Sequence, residues 1–148
     1  MSQPQSPWWE VFFNSVDSLT LSRFPGAVET QVEVEALEAM LNLQPTDLIA
    51  DICCGMGRHL LPLTALGYDL VGLDRSQMML ELAQRGAQTA RLEARLVQGE
   101  AQRLPFSDGA FDVVLNLFNS FGYLATETDD RLVLAEAARC LKPGGRFF

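Results

Sequence analysis

The sequence predicts an α/β fold, an open and mostly parallel sheet with helices on both faces. Three observations predict it. Short apolar runs alternate with amphipathic stretches of roughly ten to sixteen residues, the pattern of right-handed βαβ units. The first apolar run, Leu48 to Ile52, breaks at Gly55-Met56-Gly57 and passes into a leucine-rich stretch, which reads as strand, tight turn and helix start. The run from Phe111 to Leu117 is almost continuously apolar, which suits a parallel strand covered on both faces.

Composition narrows the function classes. The 148 residues make about one domain, and an apolar fraction of 48% is enough to bury a core. The formal net charge is −8 with no Lys or Arg run, which counts against a nucleic-acid partner. Three cysteines, two of them adjacent at Cys53 and Cys54, argue against a disulfide framework and for a reducing, cytoplasmic setting. With one histidine and no zinc spacing, no metal site is expected. The polar amino terminus lacks the charged and apolar regions of a secretory signal. No apolar run approaches the ~20 residues of a membrane span, so no membrane partner is expected.

The elements follow in order. Residues 1–7 are polar and proline-rich, a frayed end. Trp8-Trp9-Glu10-Val11-Phe12-Phe13 reads as a short helix whose rings either pack on the core or form a lid over a substrate, and Pro25-Gly26 closes that segment. Thr30 and Glu33 are spaced as a capping box, followed by a stripe of Val32, Ala36, Leu37, Met40 and Leu41 that Pro45 closes. Residues 1–45 thus form an amino-terminal helical and aromatic cap, and residues 46–148 the core, which ends within a fifth strand.

In that core, Leu48 to Cys53 is the first strand. A helix from about Arg58 to Leu66 follows, with Pro62 near its first turn and Gly67 as its stop. Tyr68 to Leu73 is the second strand, with Asp74 at its carboxyl end. Ser76 caps a third helix carrying Met79, Leu82 and Ala83, which Gly86 ends or bends. Arg95 to Gln98 is a short third strand, and Pro105 and Ser107-Asp108-Gly109 are turns. Phe111 to Leu117 is the fourth strand. Thr126 and Asp129 are spaced as a capping box for a helix reaching Leu141. Lys142-Pro143-Gly144-Gly145 reads as a turn, and Arg146-Phe147-Phe148 as the start of a fifth strand.

Ligands of such sheets bind at the carboxyl ends of the strands, where strand order reverses. The glycine turn, Asp74, Glu100 and Asn116 all fall at such ends. Glycine lets a ligand approach the backbone, and the N–H groups opening the next helix favour a polar or anionic group. Asp74, seventeen residues beyond Gly57, is placed to accept from ribose hydroxyls. Turn and acid together imply a nucleoside-containing cofactor, either a nicotinamide dinucleotide or S-adenosylmethionine. Leu60 stands where the dinucleotide fingerprint has its third glycine or alanine, which separates the two only partly.

Five segments come in order at fitting intervals. They are Asp51 through Gly57, Val71 through Leu80, Gly99 through Phe106, Phe111 through Asn116, and Leu141 through Phe147. Together they resemble the class I S-adenosylmethionine-dependent methyltransferases, with a Rossmann-like core. The resemblance spans about residues 46–148, and looser likeness begins at Trp8. It implies that Asp51, Cys53, Gly55 and Gly57 surround the methionine part of the cofactor. It implies that Asp74, with Arg75 beside it, holds the ribose, that Glu100 and Ala101 contact the adenine, and that Met79 packs on its ring. Asn116 to Phe118 match the loop that borders the sulfonium.

There are departures. Cys53 stands where the family most often has glycine, and Glu100 replaces the more usual aspartate. The loop after the fourth strand, Asn116 to Tyr123, lacks the Asn/Asp-Pro-Pro-aromatic signature of nucleobase amino methyltransferases. With the acidic charge, that favours a small-molecule acceptor. The family sheet has seven strands, and this sequence supplies four and part of a fifth, as a carboxyl-terminally truncated chain would.

The expected activity is therefore methyl transfer from S-adenosylmethionine to a small molecule by in-line displacement. The alternatives are a nicotinamide-dependent oxidoreductase fragment and a non-catalytic binding module. Candidate catalytic residues are Asn116, Tyr123 and His59. Asp112 reads as a solvent-facing strand residue, and Asp129 and Asp130 as a favourable charge pair at a helix start. Cys54 has no partner base and is not expected to act as a nucleophile.

Overall fold

A computed structural model describes residues 7–15, 24–118 and 120–148. The stretch before Pro7, expected to fray, lies outside the described residues, as does Asn119 of the loop after the fourth strand. The helices are α1 (Trp8–Phe13), α2 (Ala27–Leu41), α3 (Leu60–Ala65), α4 (Gln77–Ala90) and α5 (Glu127–Cys140). The strands are β1 (Leu48–Ile52), β2 (Asp69–Asp74), β3 (Arg95–Gln98), β4 (Phe111–Leu115) and β5 (Leu141–Phe147).

The five strands form one parallel sheet in the order β3-β2-β1-β4-β5. The chain starts at the centre, steps outward through β2 and β3, then crosses back to β4. The order therefore reverses between β1 and β4, and the crevice of such a sheet lies at that reversal. Side chains alternate across the pleat. Ile49, Leu70 and Val113 join Val34, Leu37, Leu41, Leu60 and Leu63 on one face. Ala50, Ile52, Val71, Leu73 and Val114 join Val133, Ala137 and Cys140 on the other. Helices cover both faces, as the apolar strands require.

Several local expectations are corrected. Thr30 is not an N-cap: α2 starts at Ala27 with Gly26 before it, and Thr30 is buried within the helix. The buried stripe of α2 is Thr30, Val34, Leu37 and Leu41, while Val32 and Met40 are exposed. The apolar residues fall on two adjoining stripes, and only the stripe that joins the core cluster with Leu60 and Leu63 is covered. Asn42, in the left-handed conformation, ends the helix before Pro45. Gly86 does not end α4, which continues to Ala90. It sits where an added Cβ would come within 2.8 Å of Leu61 Cδ1, so its role is close packing of α4 on α3.

The Lys142–Gly145 turn survives as a bulge inside β5. Phe111 pairs with Leu141 but Val113 pairs with Arg146, so the extra residues loop out of the ladder. Gly144 has φ +78°, and a Cβ at Gly145 would lie 2.9 Å from the Lys142 carbonyl oxygen, so this bulge requires glycine. Ser76 and Thr126 cap α4 and α5 as expected, the latter through a complete capping box with Asp129. Asp112 is not simply solvated: its Oδ2 accepts from the Leu48 N–H and from Lys142 Nζ.

Candidate active site

A cavity of about 450 Å³ opens at the carboxyl ends of the central strands. That volume is ordinary for a small-molecule site. Asp51 and Cys53 border it from the end of β1, Asp74 and Arg75 from β2, Gly99 and Glu100 from β3, and Leu117 and Phe118 from β4. The topology thus brings together residues that are far apart in sequence.

Two carboxylates dominate its electrostatics. Asp74 Oδ2 accepts from the Gly55 N–H and Oδ1 from the Ser76 N–H, each at 2.8 Å. These backbone donors fix the group, and each oxygen keeps a further lone pair for a ligand hydroxyl. Burial raises the Asp74 pKa, against the pull of its backbone donors. Asp51 is 2% exposed and accepts no hydrogen bond among the described residues. Burial, reinforced by the Asp74 charge and only partly offset by Arg58, pushes its pKa up to about 7.

The glycine turn divides its labour. Gly55 has φ +54°, and an added Cβ would meet nothing within 4 Å. Gly57, at φ +80°, does not border the cavity. A Cβ there would meet Leu61 Cγ at 3.1 Å and Ala83 Cβ at 3.3 Å, so it serves the approach of α3 to α4. Cys53 also has positive φ, +61°, which explains why the matching family position favours glycine. Its thiol is pushed up to about 12 by burial and nearby carboxylates, which makes it inert.

Met79, Glu100, Ala101, Tyr123 and His59 border the cavity. Asn116 does not. Its N–H donates to the Phe148 carbonyl, and both side-chain polar atoms are buried without a partner among the described residues. A catalytic contact for Asn116 would require a change in its surroundings.

Sequence reasoning missed the attachment of α1. Trp8, Trp9, Phe12 and Phe13 all border the cavity, and no residue of α1 is buried. Arg75 holds α1 through an ion pair with Glu10 at 3.0 Å, stacks over Trp9 at 4.8 Å, and reaches Glu100 at 3.3 Å. The Ser76 hydroxyl, while accepting from the Met79 N–H, lies 2.8 Å from the Phe13 carbonyl and 2.9 Å from Asn14 Oδ1, to either of which it can donate. Tyr123 packs edge-on against Trp8, with centroids 5.4 Å apart. Nothing local in the sequence signals that Arg75 and Ser76 meet a helix some sixty positions earlier.

On the far side, Phe24 and Phe118 lie 6.0 Å apart with Arg58 over the Phe118 ring. His59 Nε2 lies 2.7 Å from Glu33 Oε2, and Arg58 Nη1 reaches the same oxygen at 2.6 Å. Burial lowers the His59 pKa, favouring the neutral ring. Glu33 was foreseen only as a capping residue.

A family model described as a methyltransferase domain matches residues 49–145. The chain belongs to this methyltransferase family. It has the class I fold, and the family implies S-adenosylmethionine as cofactor. The glycine turn and Asp74 accordingly no longer favour a nicotinamide cofactor. The chain is 42% identical to a demethylmenaquinone methyltransferase of Lactococcus lactis over 103 residues, which are 66% of this chain and 39% of that protein. Among solved structures it is similar to the Bacillus subtilis YcgJ protein, at 27% identity and TM-score 0.71 over 79% of this chain and 49% of that one. A chain from Methanococcus maripaludis matches 99% of it, and is itself 65% covered, at 22% identity and TM-score 0.76, which shows the shared fold. The methyltransferase chain spans 39 to 45% of the length of the curated relatives it matches. Among its described residues no helix is long and apolar enough to cross a membrane.

The residues fit the cofactor that the family implies. A buried carboxylate with no hydrogen-bond partner among the described residues, a second one with free lone pairs, and open space at Gly55 suit a ligand with a cationic end and a ribose.

Proposed function

We propose that this methyltransferase chain binds S-adenosylmethionine in the cavity and transfers its methyl group to a small, largely apolar molecule. The observation that carries this reading is the pair Asp51 and Asp74 at the reversal of strand order, one buried with no hydrogen-bond partner among the described residues and one fixed by two backbone donors. Asp74 holds the ribose hydroxyls. Asp51, Cys53 and Gly55 surround the methionine end, where an ionised Asp51 attracts the ammonium. Glu100 and Ala101 meet the adenine, and Met79 packs on it. Arg75 orients Glu100 and holds α1 in place.

When bound, this cofactor supplies a methyl carbon already activated by its sulfonium. The chain's own part is alignment and exclusion of water. Trp8, Phe12, Phe13, Phe24, Phe118 and Tyr123 give the acceptor side an aromatic wall. An apolar acceptor suits that wall, and the curated relatives are named for one, demethylmenaquinone. Tyr123 orients the acceptor. The free thiols of Cys53, Cys54 and Cys140 favour a reducing, cytoplasmic setting.

Calorimetric titration with S-adenosylhomocysteine, with NADH as control, tests the proposal. The expected result is saturable binding of the first alone. Asp74→Ala should weaken that binding by about 1.5–3 kcal/mol, the usual scale for hydrogen bonds to a charged group. Binding of NADH alone, or unchanged affinity in Asp74→Ala, would overturn the assignment.

A further inference from the structure

We infer that His59 takes a proton from a phenolic or enolic hydroxyl of the methyl acceptor, with Glu33 as its positioning residue and Arg58 steadying the resulting oxyanion. This rests on the proposed function of the same cavity. The argument begins with tautomers. A carboxylate only accepts hydrogen bonds, so the neutral His59 ring must present its proton to Glu33 from Nε2, across 2.7 Å. Nδ1 is then the bare nitrogen, and it has no hydrogen-bond partner among the described residues. His59 lines the cavity, as do Leu117 and Phe118. A carboxylate that orients a buried imidazole and sets its tautomer is the arrangement that general bases require.

The neighbouring cation completes the pattern. Arg58 shares Glu33 through Nη1, bonds Thr30 Oγ1 at 3.2 Å and lies over the Phe118 ring. Arg58 also lines the cavity, so its positive charge favours an anion formed there. A bare acceptor on His59 and the neighbouring Arg58 cation together suit a hydroxyl that becomes an oxyanion. An aryl or enol carrier suits the surrounding rings. In the step, the hydroxyl proton passes to Nδ1. An oxygen lone pair forms the new bond to the methyl carbon, the carbon–sulfur bond breaks, and its electron pair stays on sulfur.

The chain has one histidine, so one set of imidazole ¹⁵N resonances reports it. The experiment records them at pH 7 in the ¹⁵N-labelled 148-residue chain, with S-adenosylhomocysteine present and 2-naphthol titrated as the aryl hydroxyl probe. The expected result is a proton on Nε2, a bare Nδ1, and a saturable 2-naphthol shift confined to Nδ1. In Glu33→Gln the charge that selects one tautomer is gone, so the ring should show a mixture and 2-naphthol should bind about tenfold more weakly. Circular dichroism verifies that the variant folds. A proton on Nδ1, or an Nδ1 resonance that 2-naphthol leaves unmoved, overturns the inference. Failure of S-adenosylhomocysteine to bind would instead overturn the proposed function, and the 2-naphthol titration without it still decides the role of His59.

Discussion

Asp51→Asn should make the protein more stable and less able to bind its cofactor. Asp51 is 2% exposed, and its carboxyl sits at about 7 against an ordinary 3.8. A difference of that size makes the ionised group cost the folded state about 4 kcal/mol. The sign follows from the raised value. Below the unfolded pKa the carboxyl is protonated in both states and the cost is absent. It grows as pH rises towards about 7 and is complete above it. Asparagine has nearly the same shape and no charge. Its amide inherits a place with no hydrogen-bond partner among the described residues, which costs about 1–3 kcal/mol. The net gain above pH 7 is therefore about 1–3 kcal/mol, and below pH 4 it vanishes or reverses. Urea midpoints of both proteins at pH 4 and pH 8 measure the difference. Calorimetry with S-adenosylmethionine at pH 8 should show the opposite trend, because an ionised Asp51 attracts the ammonium. A variant less stable than the parent at pH 8 would refute the reasoning, since it would mean that the carboxylate is already paired.

Cys53→Gly should stabilise the chain by about 1–2 kcal/mol, because it relieves a side chain held at φ +61° in the left-handed region. Thermal unfolding checks this. Ser76→Ala removes both the cap of α4 and the anchor at the end of α1, so stability should fall by about 1 kcal/mol. The only two tryptophans, Trp8 and Trp9, both lie on α1 and should become easier to quench with acrylamide. Thr126→Ala breaks the capping box of α5 and should cost a similar amount. Because Thr126 does not border the cavity, S-adenosylhomocysteine affinity should stay unchanged, as calorimetry can verify.

The fold was legible because its signals are local. A buried parallel strand must be apolar along most of its length, so the strands expected at Leu48 to Cys53 and Phe111 to Leu117 are present, ending at Ile52 and Leu115. Ser76 and Thr126 cap helices through contacts three residues away, and those were read correctly. Thr30 failed the same test because the spacing of a capping box also occurs inside a helix. In α2 the apolar residues were legible, but which stripe is buried was not, since burial depends on the elements packed against it. Lys142–Gly145 was legible as a break but not as a bulge, which exists only against the partner strand.

The candidate site divides in the same way. The sequence by itself marked the turn at Gly55 and put Asp74 at a strand end, because strand and turn boundaries follow from short-range pattern, while the role of Asp51 came only with the family resemblance. Only the tertiary structure decided that Arg75 and Ser76 hold α1 over the cavity, that Glu33 and Arg58 meet at His59, and that Gly57 and Asn116 stand off the wall. These are contacts and vacancies between elements tens of residues apart. Their existence depends on how the helices are set against the sheet, and no local periodicity encodes that placement.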